Sequence, residues 1–206
     1  MSFVARPEEI EARSRAAVDR LLAPLAHAFS GDALAILRRV VHATGDPGFA
    51  ELLAVHPHAV AAGLVALEDG ARIVCDVKMV AAGITGYGGE VLVAVERPGV
   101  AEEAGRLGIT RALAGIRACR PLLRGSVVAI GNAPTALFGL LELLDGGVRP
   151  ALVVATPVGF VGAAEAKEAL MARDVPWVVV RGTKGGSAVA AAVVNALLAL
   201  REEKLR

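Results

Sequence analysis

Gly125-Ser-Val-Val-Ala-Ile-Gly-Asn-Ala-Pro-Thr-Ala-Leu137 is the stretch that decides the fold. Val127 to Ile130 is a β-branched apolar run, the length of a buried strand. Gly131 and Asn132 interrupt it, and Pro134 falls where a new helix has its first residue, a position whose N–H has no intrahelical partner. Thr135 to Leu144 then carries a helical pattern. A strand, a glycine turn and a proline-started helix direct unpaired backbone N–H groups beyond the sheet edge, which favours an anion there.

The same unit recurs downstream. Ala151 to Ala155 precedes Thr156-Pro-Val-Gly-Phe-Val-Gly162 and a helix from Ala163. Trp177 to Val180 precedes Gly182-Thr-Lys-Gly-Gly-Ser187 and a last helix to about Leu200. Each helix is then the right-handed crossover to the next parallel strand. The strands read as continuous apolar runs, as strands buried on both faces do. Upstream, Arg72 to Cys75 and Val91 to Val95 read as two more strands. All three glycine loops fall at the carboxyl edge of the sheet, where open α/β sheets bind ligands. With Lys184 and Ser187 in one of them, the set favours a ligand carrying several carboxylates or phosphates.

Residues 1–70 read as mainly helical and 71–200 as the parallel α/β part of one domain spanning 1–206. Pro7 to Leu22 is a predicted helix in which Ser14 reads as a solvated position. A second helix opens at Gly31-Asp32 and buries Leu34, Leu37, Val40 and Val41. It ends at His42-Ala-Thr-Gly45, with Gly45 as the left-handed stop and Pro47 forbidding continuation. His42 thus sits at a helix C-terminus, where the dipole favours a protonated imidazole. Spacing alone favours a capping histidine bonded to a late carbonyl. His56-Pro-His58 has no Cys or acid at ligand spacing and reads as an exposed loop entering the helix Ala59 to Leu67. Thr110 is placed as an N-cap, with Arg111 in the first turn as solvated surface or as a ligand contact.

Composition narrows the class. The formal net charge of +1 gives no support to a nucleic-acid surface. Hydrophobic residues make up 55% but aromatics only 3%, so the core is built from Ala, Val and Leu. No apolar run reaches the ~18–20 residues of a membrane span uninterrupted. Cys75 and Cys119 form no disulfide framework. The expectation is a cytoplasmic protein. A Gly-x-Ser-x-Gly elbow, a dinucleotide fingerprint and a Walker loop are all absent.

Six motifs together resemble the precorrin-8X methylmutase family of cobalamin biosynthesis. They are Val41-His-Ala-Thr-Gly45, Cys75-Asp-Val-Lys-Met-Val80, Gly83-Ile-Thr85, the opening stretch, Pro157-Val-Gly-Phe-Val-Gly-Ala-Ala-Glu165 and Gly182-Thr-Lys-Gly-Gly-Ser187. The resemblance implies a three-layer α/β/α domain with a five-stranded parallel sheet, and a homodimer with its active sites at the interface. It implies movement of a methyl group from C-11 to C-12 of a polycarboxylate tetrapyrrole (corrinoid), turning precorrin-8X or its cobalt form into hydrogenobyrinate or cobyrinate. No atoms are gained or lost, so no cofactor and no catalytic metal is expected. Hand-off to other enzymes of the pathway is a further expectation; nucleic-acid and membrane partners are not.

The family's catalytic histidine matches His42. Ser14, Arg39, Thr85 and Arg111 match polar substrate positions. The loops implied to hold the substrate are Gly131, Asn132, Ala133 and Thr135; Val158, Gly159 and Phe160; and Lys184, Gly185, Gly186 and Ser187. The chain departs from the family pattern at Lys184, where an arginine is frequent, at Arg15, and in a short loop at Gly86–Gly89. A non-catalytic corrinoid carrier and a nucleotide-binding module are the competing readings.

Overall fold

Strand β4, Val127–Ile130, has all four residues buried, with a hydrogen-bonded neighbour on each side. The computed structural model describes residues 3–29 and 31–204. On one side of β4 lie β2 (Ile73–Cys75) and then β3 (Val91–Val93); on the other lie β5 (Leu152–Ala155) and β6 (Trp177–Val180). These five strands are mutually parallel, as expected.

A sixth strand was not expected. Leu53–Val55, β1, pairs antiparallel with β6, placing Leu53 opposite Val180 and Val55 opposite Val178. The sheet is therefore six-stranded and mixed, in the order β1-β6-β5-β4-β2-β3. Three residues are too few for a period-two pattern to show. What makes them a strand is the otherwise free edge of β6, a partner far away in sequence. The expected strand to Val95 also ends early, because Ala94–Glu96 turns into a 3-10 helix.

Successive strand residues point to opposite faces. Val127, Ala129, Leu152, Val154, Val178 and Val180 join one core, and Val128, Ile130, Val153, Ala155 and Val179 join the other. The first core is covered by α10 (Ser187–Lys204), which packs on α2 (Gly31–Thr44), α4 (Ala59–Glu68) and α5 (Lys78–Gly83). Helix α1 (Pro7–Leu22) lies outside α2, and α3 (Phe49–Leu52) links α2 to β1. The second core is covered by α7 (Arg111–Ala118), α8 (Pro134–Asp145) and α9 (Ala163–Met171), with α6 (Val100–Leu107) against α7. A Cβ on Gly139 would lie 2.6 Å from the Leu113 Cδ1 methyl, so the glycine leaves room for that side chain between α7 and α8.

Candidate active site

His42 occupies the last turn of α2, exposed, and Gly45 ends that helix with φ +66° and a 2.8 Å bond from its N–H to the Val41 carbonyl. Ser14 is not merely solvated: its hydroxyl lies 2.8 Å from His42 Nδ1. That contact fixes the ring and leaves Nε2 as the nitrogen free to face a ligand. Arg39, one turn earlier on α2, is also exposed and by its spacing shares the face of His42.

The end of α2 is tied to the sheet rim. Asp46 accepts a 2.8 Å hydrogen bond from Lys184 Nζ and another from the Gly48 N–H. The Lys184 ammonium and the Gly48 N–H together hold the Asp46 carboxyl below its usual range. Lys184, expected to meet a ligand carboxylate, is thus engaged by an acid of the chain itself. Both partners remain solvent-accessible, so a ligand carboxylate can compete for the lysine.

The three glycine loops meet at the carboxyl rim. Gly159 N–H donates to the Thr183 carbonyl at 3.1 Å, and Gly186 N–H to the Thr156 carbonyl at 2.7 Å. Gly185 has φ +151°, and a Cβ there would lie 2.2 Å from the Thr156 carbonyl oxygen, so only glycine fits. Gly131 packs against the start of α10, where a Cβ would be 2.7 Å from Ser187 Cα. Val158 and Phe160 point outward; Phe160 is 94% exposed.

One expectation changes character. The Gly131, Asn132 and Ala133 N–H groups do not stand open at the start of α8. They donate to the Asp76 carboxylate at 3.1, 2.8 and 2.9 Å. Asp76 is fully buried just beyond β2 and supplies the anion that this helix N-terminus attracts. Burial holds its carboxyl above the usual carboxylate range, and the Ala133, Gly131 and Asn132 N–H groups pull it only part of the way back. The rim at α8 is therefore shaped by an internal acid, and the backbone donors left for a ligand come from the other two loops.

Thr135 Oγ1 lies 2.7 Å from Thr110 Oγ1, which also caps α7 by accepting from the Leu113 N–H. Helices α7 and α8 thus begin side by side, and Arg111, bonded to the Val95 carbonyl at 3.3 Å, stands at that end of the molecule. Thr85 is held differently: its N–H donates to Asn195 Oδ1 at 3.0 Å, and Asn195 Nδ2 donates to the Gly83 carbonyl at 2.8 Å. No bond among the described residues joins Thr85 to His42 or the glycine loops. The sequence reading missed Asp46, Asp76, Lys167 and Asn195. Only Asp76 offered a signal, an acid placed at the end of a buried strand.

A model of the precorrin-8X methylmutase family matches residues 9–200. The chain belongs to the precorrin-8X methylmutase family. It is 51% identical over 171 residues to the precorrin-8X methylmutase of Pseudomonas aeruginosa, covering 80% of this chain and 82% of that one. To the cobalt-precorrin-8 methylmutase of Priestia megaterium it is 39% identical over 203 residues, covering 96% and 89%. The crystal structure of precorrin-8X methylmutase from Thermus thermophilus superposes with a TM-score of 0.88 at 40% identity, covering 96% of this chain and 97% of that one. Members of the precorrin-8X methylmutase family are isomerases of cobalamin biosynthesis, and this chain is an enzyme of that kind. Among the described residues, no helix of this methylmutase is long and apolar enough to cross a membrane.

Proposed function

We propose that the protein moves a methyl group from C-11 to C-12 of precorrin-8X or its cobalt-bound form, giving hydrogenobyrinate or cobyrinate. The observation that carries the reading is the placement of His42. An exposed imidazole, fixed through Nδ1 by Ser14, ends a helix that Asp46 ties to the loop after β6. His42 donates a proton or hydrogen bond from Nε2 to the ring system near its nitrogens. Electron density is drawn toward the donor, the C-11 bond to methyl weakens and the C-12 bond forms. The methyl group stays on one molecule, so atoms and electrons balance without a donor or an oxidant.

The loops after β5 and β6, with Arg39, Thr85 and Arg111, receive the acetate and propionate groups, while Val158 and Phe160 lie against the flat ring. The exposed Phe160 and Val161 beside that rim support a homodimer in which the partner copy completes each cavity. The groove of about 530 Å³ on this chain lies elsewhere, along β1 between His56, Trp177 and Arg181.

Mixing the purified protein with precorrin-8X and with its cobalt form tests the assignment, because the methyl shift changes the conjugation of the ring. The expected result is a first-order change to the product absorption spectrum with at least one substrate. Tight retention without spectral conversion of either would favour a carrier and overturn the assignment.

A further inference from the structure

Lys167 is a fully buried lysine whose charge meets no acid among the described residues. It lies on α9, and its ammonium donates to the Pro157 carbonyl at 3.0 Å and to the Lys184 carbonyl at 2.9 Å. These two oxygens belong to the loops after β5 and β6. No carboxylate among the described residues lies within ion-pair distance of it. On its own helix Glu165 and Glu168 are exposed. On α8, Glu142 is engaged by Arg117 and Asp145 by Arg173. β6 carries no titratable side chain, and the loop after it carries the exposed Arg181 and Lys184, with Asp46 bound to Lys184.

The peptide geometry gives this cation a purpose. No peptide bond among the described residues is cis, and across a trans peptide the N–H points opposite to the preceding C=O. With the Pro157 and Lys184 carbonyls turned toward Lys167, the Val158 and Gly185 N–H groups are turned away from it. Neither donates to any described residue. The result is a pair of free donors on adjacent rim loops, with a buried positive charge behind both. A desolvated cation without a counter-ion is costly, and a ligand anion on the outer donors offsets that cost.

We propose that Lys167 is the built-in counter-charge of an anion subsite formed by the Val158 and Gly185 N–H groups, which takes one carboxylate of the ligand. The inference rests on the corrinoid reading above for the identity of that ligand. Burial pushes the Lys167 amine down to about 8 in the free protein. A bound carboxylate stabilises the ammonium, so ligand and proton bind together.

The experiment is calorimetric titration of the intact protein with hydrogenobyrinate, in two buffers of different ionisation heat. At pH 8 the wild type takes up about half a proton per site, and its affinity falls about tenfold between pH 7 and pH 9. Lys167→Arg keeps the charge at every pH and binds without that proton uptake. Lys167→Met binds more weakly at pH 7 and has a flat profile. Tight binding whose proton uptake is unchanged in both variants, or absent from the wild type, overturns the proposal alone. If wild type does not bind hydrogenobyrinate at all, the corrinoid reading falls, and this proposal with it.

Discussion

Ser14 and His42 are 28 residues apart in the chain and 2.8 Å apart in the structure. Removing the serine hydroxyl leaves the imidazole in place but free to rotate, which costs orientation rather than basicity. A hydrogen bond of this kind contributes about 1 kcal/mol. Ser14→Ala is therefore expected to lower kcat roughly five- to tenfold with little change in KM. Steady-state conversion of precorrin-8X measures both, and an unchanged kcat would show that the contact is incidental. The serine's partner was not legible from its own helix, where every local pattern described a surface residue. His42 was better placed for recognition, because the glycine stop and the dipole are local features.

At the scale of elements, the start of α8 is organised by Asp76 rather than by its own residues. Ala133, the N-cap, offers no side-chain cap, and the carboxylate reaches it from β2. Three charge-assisted bonds close this junction between strand and helix. Asp76→Ala leaves one buried and two part-buried donors without their acceptor and is expected to cost about 2–3 kcal/mol, with Asp76→Asn intermediate because one oxygen still accepts. Urea unfolding measures this, and a loss below about 1 kcal/mol would mean that water replaces the acid without penalty. The same junction marks how far sequence reading extends. The strand, the glycine turn and Pro134 were all visible in thirteen consecutive residues, and they predicted a helix N-terminus that attracts an anion. That the anion is Asp76 was not visible, because it lies 55 residues before Gly131. Strand β1 was hidden for the same reason: Leu53–Val55 is defined by its pairing with β6. Lys167 lies in an alanine- and glutamate-rich stretch that reads as solvated helix, and only the stacking of α9 on the sheet buries it.

For the molecule as a whole, the three glycine loops of the rim come from the second half of the chain, and the imidazole comes from the first. Asp46 and Lys184, 138 residues apart, hold the two halves in register at the rim. The role proposed for His42 is separable from folding, since the imidazole is exposed and belongs to neither core. The most direct test compares wild type with His42→Ala, in hydrogenobyrinate binding and in spectral conversion of precorrin-8X. The account predicts that the variant folds and binds as the wild type does while turnover falls by at least about a hundredfold. Conversion at the wild-type rate in the variant would contradict it.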